Sequence, residues 1–241
     1  MERTMIKKYE SKIVKYEHMN NSVIKITLML EEDLNFKAGQ YITIVFTNPD
    51  GERISRMYSI ASSTKDKRSL DLCIKLIENG SASNIIKNLK LGNDIFFVGP
   101  AGKFVLTEES KEKDIFFISS GTGITPFISM FHELIDTGYK NTLTFINGFR
   151  DENDILFTKE ISSLRKNDIN LKLLNILSRP LNQNIIYKGH VQDFLSTIIL
   201  KRQLQNSHFY ICGLKDMIDS VSLKLKELGV KDEQIFLEEY D

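Results

Sequence analysis

The chain has 241 residues, 41% of them hydrophobic and 27% charged, with 32 Lys+Arg against 32 Asp+Glu. This composition suits a globular protein with room for two modest domains; no apolar run reaches the roughly 20 residues of a membrane-spanning helix, and no basic stripe points to nucleic acid. Cys73 and Cys212 are the only cysteines, and His18, His132, His190 and His208 are scattered, so neither an iron–sulfur cluster nor a zinc site is expected.

Residues 1–9 lack the apolar core of a secretory signal, and a reducing, cytoplasmic setting is the expectation. Over the first hundred residues the apolar positions follow a period of two. Ile24, Ile26, Leu28 and Leu30 alternate with polar or smaller residues. Residues 41–47 are rich in β-formers and run into the turn Asn48-Pro49-Asp50-Gly51. Residues 53–60, 70–77 and 94–98 read as further strands, and 83–89 as a short helix. Short strands at this spacing predict a small antiparallel barrel.

After the polar stretch 107–113 the rhythm changes. Strand-like runs at 115–119, 143–147, 171–177 and 209–212 alternate with helical patterns. One pattern carries Phe127, Met130, Phe131, Leu134 and Ile135; the other carries Leu214, Met217, Ile218, Val221, Leu225 and Leu228. Such alternation predicts a parallel sheet with helices on both faces. The expected boundary lies near residue 110, giving domains 1–109 and 110–241. Charge divides along the same line: residues 1–106 hold 16 Lys+Arg and 12 Asp+Glu, and the remainder holds 16 and 20. A mildly basic first half would attract an acidic partner, and ordinary surface scatter would produce the same count.

Two strings carry chemistry. Arg56-Met57-Tyr58-Ser59-Ile60-Ala61-Ser62 offers a cation, an aromatic plane and a hydroxyl donor within one extended segment, which suits a flat, phosphate-tailed cofactor. Arg56 and Tyr58 share a strand face, and Ser59 points to the other unless the backbone bends. A plain strand with an edge arginine fits equally. Gly121-Thr122-Gly123-Ile124-Thr125-Pro126 follows an apolar run and reads as a tight turn opening a helix, where backbone N–H groups hold a pyrophosphate. It departs from the dinucleotide fingerprint because Pro126 stands where the last glycine would be; a proline in a first helical turn loses no intrahelical bond. Taken alone, this string is also compatible with a structural turn.

Together with further motifs the two strings resemble the ferredoxin–NADP reductase family over nearly the whole chain. The matching segments are Phe36-Lys37-Ala38-Gly39-Gln40-Tyr41, the string from Arg56 to Ser63, Leu72-Cys73-Ile74-Lys75 and Gly80-Ser81-Ala82-Ser83. They continue with Gly99-Pro100-Ala101-Gly102-Lys103, the 121–126 turn, Cys212-Gly213-Leu214-Lys215 and the ending Glu238-Glu239-Tyr240. The resemblance implies an N-terminal antiparallel β-barrel that binds FAD non-covalently, followed by a Rossmann-like α/β domain for the pyridine nucleotide. Arg56 and Ser83, with backbone near Gly80 and Ala82, would bind the flavin pyrophosphate. Ile74 lies in a segment that the family uses through its backbone, and Tyr58 would stack on the ring. Ser59 would donate to the nitrogen that receives hydride, with Cys212 and Glu238 completing the catalytic set. Tyr240 would cover the other ring face until nicotinamide displaces it, although Asp241 follows where plant-type members end on the aromatic. Gly121, Thr122, Gly123, Pro126 and Gly213 would line the nucleotide. Ser178 and Arg179 with Lys188 match the pattern that binds a 2′-phosphate, so NADPH is expected over NADH; His190 stands where relatives have Tyr or Arg. The implied activity passes electrons between NADPH and a ferredoxin or flavodoxin. The alternatives are a reductase component for an oxygenase, haem protein or free flavin, and an electron-transfer subunit of a larger complex.

Overall fold

The computed structural model describes residues 7–48, 51–166, 169–182 and 184–240. Pro49 and Asp50 of the expected turn, and Asp241, lie outside the described residues. The chain parts into two compact units between Val105 and Leu106.

The first unit holds strands β1 (Lys7–His18), β2 (Val23–Leu30), β3 (Tyr41–Thr47), β4 (Arg53–Ser59) and β5 (Ser69–Lys75), a helix α1 (Ser81–Lys87), and strand β6 (Asp94–Ala101). The strands form one antiparallel sheet in the order β4-β3-β6-β1-β2-β5. Its two outer strands meet where Ile60 bridges Leu72 and the Ala61 N–H donates to the Asp71 carbonyl at 2.8 Å, which curls the sheet into a barrel. The period-two residues point inward: Ile24, Ile26 and Leu28 pack with Ile42, Ile44, Leu70, Leu72 and Phe97. Strand β1 escaped the sequence reading because its inward row is Tyr9, Ser11 and Ile13 among charged neighbours. Ser11 is buried only because its hydroxyl donates to the Ile95 carbonyl at 2.9 Å. The helix starts at Ser81, two residues before the expected start.

The second unit opens with a short helix α2 (Glu108–Lys111) and continues through β7 (Asp114–Ser120), α3 (Thr125–Asp136), β8 (Thr142–Phe149), α4 (Thr158–Leu164), β9 (Asn170–Leu177), α5 (Val191–Ile198), β10 (Ser207–Leu214), α6 (Lys215–Glu227) and β11 (Ile235–Tyr240). The five strands are parallel, in the order β11-β10-β7-β8-β9. On one face Phe116, Ile118, Ile146 and Ile211 pack against Val191 and Leu195 of α5 and Ile218, Val221 and Leu225 of α6. On the other, Phe117 stacks on Phe127 of α3 at 4.5 Å between centroids and meets Phe145 and Tyr210 edge-on. The polar stretch 107–113 is built into this unit. Thr107 caps α2, its hydroxyl accepting the Ser110 N–H at 3.0 Å. The buried Ser110 hydroxyl shares hydrogen bonds with His208 Nδ1 at 2.7 Å and the Tyr210 hydroxyl at 2.6 Å. Among the described residues no helix is long and apolar enough to cross a membrane.

Candidate functional site

In the first unit, α1 packs against β4 and brings two groups of residues together. From β4 come Arg56, exposed, Tyr58, half-buried, and Ser59, buried at the strand end. Arg56 and Tyr58 lie in register with Ile44 and Ile42, so they share a face. After Ser59 the chain is paired on both sides: the Ile60 N–H donates to the Gln40 carbonyl on the β3 side at 3.0 Å, and Ile60 also bridges Leu72 of β5. Burial pushes the Tyr58 phenol up to about 12, with the Arg56 charge opposing; the ring is a neutral plane with a cation near it.

From α1 come Gly80, Ala82 and Ser83. Gly80 is the N-cap and offers no capping side chain, so the first-turn amides present the positive end of the helix. The Ile77 N–H donates to the Ser83 hydroxyl at 2.8 Å, which fixes that side chain and leaves its own hydrogen for an acceptor. A Cβ on Gly80 would sit 3.2 Å from Ile77 Cβ and 3.3 Å from Ser83 Oγ, so the turn is closed tightly by glycine. Ile74 is in β5, an outer strand, and its side chain belongs to the core, so only its backbone is open to other use. Uncapped amides, a hydroxyl donor, a guanidinium and an aromatic plane fit the pyrophosphate and ring of a dinucleotide flavin.

In the second unit the strand order reverses at β7: the chain moves outward through β8 and β9, then returns to place β10 on the other side. Open parallel sheets bind ligands outside the carboxyl ends of the strands at such a point. Gly121, Thr122 and Gly123 form a tight 3-10 turn there, leading into α3 with Pro126 as its second residue, where a missing N–H costs nothing. Gly121 has φ +53°. Gly123 has a different constraint: its Cβ would fall on the Cys212 carbonyl and within 3.1 Å of Gly213 Cα. A Cβ on Gly213 would lie 2.5 Å from Ser120 Oγ. The turn and the end of β10 therefore touch backbone to backbone, bringing Gly121–Gly123, Cys212 and Gly213 together. Pro126 is buried.

Cys212 stands in register with Glu238 of β11, and Leu214 with Tyr240. Burial pushes the Cys212 thiol well up, the Glu238 charge adds to the rise, and a hydrogen bond with the Tyr240 side chain opposes it. The thiol is thus a neutral group. Tyr240 is half-buried as the last residue of an edge strand, an element the sequence reading did not anticipate.

Ser178, Arg179 and Lys188 gather at the end of β9 by backbone bonding. Lys188 bridges Leu177, the Gly189 N–H donates to the Leu177 carbonyl at 3.0 Å, and the Ser178 and Arg179 N–H groups donate to Phe149 and Arg150 at 3.0 and 2.7 Å. Two strand spacings, roughly 10 Å, separate β9 from β7. His190 precedes α5, and its N–H donates to the Asp193 carboxylate at 2.8 Å.

Sequence reasoning missed a polar row across the sheet. Ser119, Asn147 and Asn175 share one register; Ser119 donates to Asn147 at 2.8 Å and Asn147 to Asn175 at 3.4 Å, tying the carboxyl ends of β7, β8 and β9. The available signal was one polar residue near the same end of three apolar runs. It also missed Arg150 and Glu152, which follow β8 and hold the loop after β9; nothing in the local pattern marks that pairing.

Residues 10–106 match the family described as oxidoreductase FAD-binding domain, and residues 117–223 match the oxidoreductase NAD-binding domain. The chain is 32% identical over 213 residues to ferredoxin–NADP reductase B of Sorangium cellulosum, covering 86% of each. It is 26% identical to the phenol hydroxylase P5 protein of Acinetobacter pittii, over 98% of this chain and 66% of that protein. Its fold superposes on the crystal structure of a ferredoxin NADP+ reductase from Neisseria gonorrhoeae with bound FAD and NADP, with a TM-score of 0.84 and 22% identity over 97% of this chain and 98% of that one. The FAD-binding and NAD-binding matches together span most of the chain, and the chain belongs to the ferredoxin–NADP reductase family of flavoprotein oxidoreductases.

Proposed function

We propose that the protein oxidises NADPH and hands the electrons singly to a small acidic carrier, a ferredoxin or flavodoxin. Residues 1–105 serve FAD and residues 106–241 serve the nucleotide. The observation that carries the nucleotide choice is the grouping of Ser178, Arg179 and Lys188 at the end of β9; a 2′-phosphate needs that combination of cations and hydroxyl. The excess of basic residues in the first unit supports an acidic carrier.

FAD, when bound, would supply the chemistry of hydride acceptance and single-electron release. The chain supplies position and charge. Arg56, the α1 amides and Ser83 would neutralise the FAD pyrophosphate, Tyr58 would stack on the ring, and Ser59 would donate to the ring nitrogen. The Gly121–Gly123 turn and Pro126 hold the nucleotide. Cys212 presents an uncharged thiol to the nicotinamide because burial keeps its proton on, and Glu238 bounds that pocket. Tyr240 gives way when the nicotinamide enters.

The second reading changes the acceptor to an oxygenase component, which the likeness to the phenol hydroxylase P5 protein favours. Steady-state assays with NADPH and NADH, each with ferredoxin, flavodoxin, free flavin and cytochrome as acceptor, separate the two. NADPH should be preferred with one carrier protein dominant. Replacing Arg179 by Ala should raise the KM for NADPH roughly 10- to 100-fold, the loss of a charge-assisted hydrogen bond, and leave NADH unaffected. Equal use of both nucleotides by the parent protein overturns the NADPH assignment, and turnover confined to free flavin overturns the carrier.

A further inference from the structure

The loops after β8 and β9 run side by side beyond the ends of their strands. The N–H groups of Ser178 and Arg179 continue the ladder to the carbonyls of Phe149 and Arg150. Pro180 follows, and a proline has no N–H to extend the pairing. A side chain takes over at that break. The Glu152 carboxylate accepts the Leu181 N–H on Oε2 at 2.8 Å and the Asn182 N–H on Oε1 at 3.0 Å. One carboxylate thus catches the first two amides after the proline, one on each oxygen. Arg179 is held on both sides, by its own N–H before Pro180 and by Glu152 after it.

Those two amides hold the Glu152 carboxyl below its usual range. The charge is therefore present and committed to the loop near neutral pH. A carboxylate beside the adenosine ribose ordinarily favours the free 2′-hydroxyl and opposes a 2′-phosphate. Here both carboxylate oxygens are instead occupied by loop amides.

We propose that Glu152 is a positioning residue for nucleotide selection, clamping Leu181 and Asn182 so that Ser178 and Arg179 are fixed in the seat of a 2′-phosphate. This rests on the reading of Ser178, Arg179 and Lys188 as the 2′-phosphate set, and it goes beyond that reading by assigning the discrimination partly to an acid. Simple charge reasoning and the clamp predict opposite signs. Removing a negative charge near the phosphate should tighten binding if charge alone matters. Removing a clamp should weaken it.

The test is calorimetric binding of 2′,5′-ADP and 5′-AMP to the flavin-loaded parent protein, Glu152→Ala and Glu152→Gln. The clamp predicts that Glu152→Ala weakens 2′,5′-ADP about tenfold, as expected for lost charge-assisted hydrogen bonds, while the 5′-AMP affinity moves far less. Glu152→Gln, which keeps one acceptor oxygen, should fall between; it also carries the test if the alanine variant folds poorly. Tighter or unchanged 2′,5′-ADP binding in Glu152→Ala overturns the proposal, as does an equal loss for both probes, which would mark general disorder of the loop. A parent protein that binds the two probes alike refutes the 2′-phosphate reading itself and the clamp's role with it.

Discussion

Gly121 and Gly123 stand two residues apart in one turn and are held to glycine by different constraints. Gly121 has φ +53° with open space where a Cβ would point, so alanine there carries only left-handed backbone strain. That strain costs about 1–2 kcal/mol. Gly123 faces the backbone of Cys212 and Gly213, and the strand end would have to shift to admit a methyl. Forced overpacking of this kind costs about 1–3 kcal/mol, and more where the neighbour is backbone. Gly123→Ala should therefore lower the melting temperature more than Gly121→Ala, at roughly 2–4 °C per kcal/mol for a chain of this size. It should also weaken nucleotide binding, because the turn and Cys212 move together. Equal melting temperatures for the two variants would show that the turn is not seated on β10. Both glycines were legible in the sequence as a turn. Their separate reasons were not, because Gly123's constraint comes from a strand about ninety residues later.

At the scale of elements, α2 and the start of β10 form a buried polar joint around Ser110, His208 and Tyr210. Burial lowers the His208 pKa from its ordinary 6.5, and Lys113 adds to that, while Glu109 opposes. The unfolded chain thus takes up this proton more readily than the folded one. The joint's contribution is complete above pH 6.5 and declines as the pH falls below it, levelling once the folded imidazole is also charged. The urea midpoint should therefore drop between pH 7 and pH 5 by more in the parent protein than in His208→Gln; identical slopes would contradict this. Elements with strong alternation or helical spacing were readable from sequence, as at 24–30, 41–47 and 115–119. The joint was read as a plain polar stretch because its buried partners lie about a hundred residues away. Strand β1 was hidden by a serine on its inward row, and β11 by its shortness, since Glu238 and Glu239 end the apolar run after Ile235, Phe236 and Leu237.

For the whole molecule, the barrel, the parallel sheet and the family were all legible, since separate motifs occurred in one order along the chain. Less legible was what binds the motifs into sites: the packing of α1 on β4, the polar row Ser119–Asn147–Asn175 and the Glu152 clamp, each a pairing between distant segments. Every role proposed for these residues depends on a flavin that exchanges electrons with a pyridine nucleotide on this chain. Anaerobic titration of the FAD-loaded protein with NADPH, followed by visible absorbance, tests that directly. The flavin bands should bleach in proportion to added NADPH and return when an electron carrier is supplied. A protein that takes up no FAD, or whose bound FAD stays oxidised with NADPH and NADH alike, would contradict it.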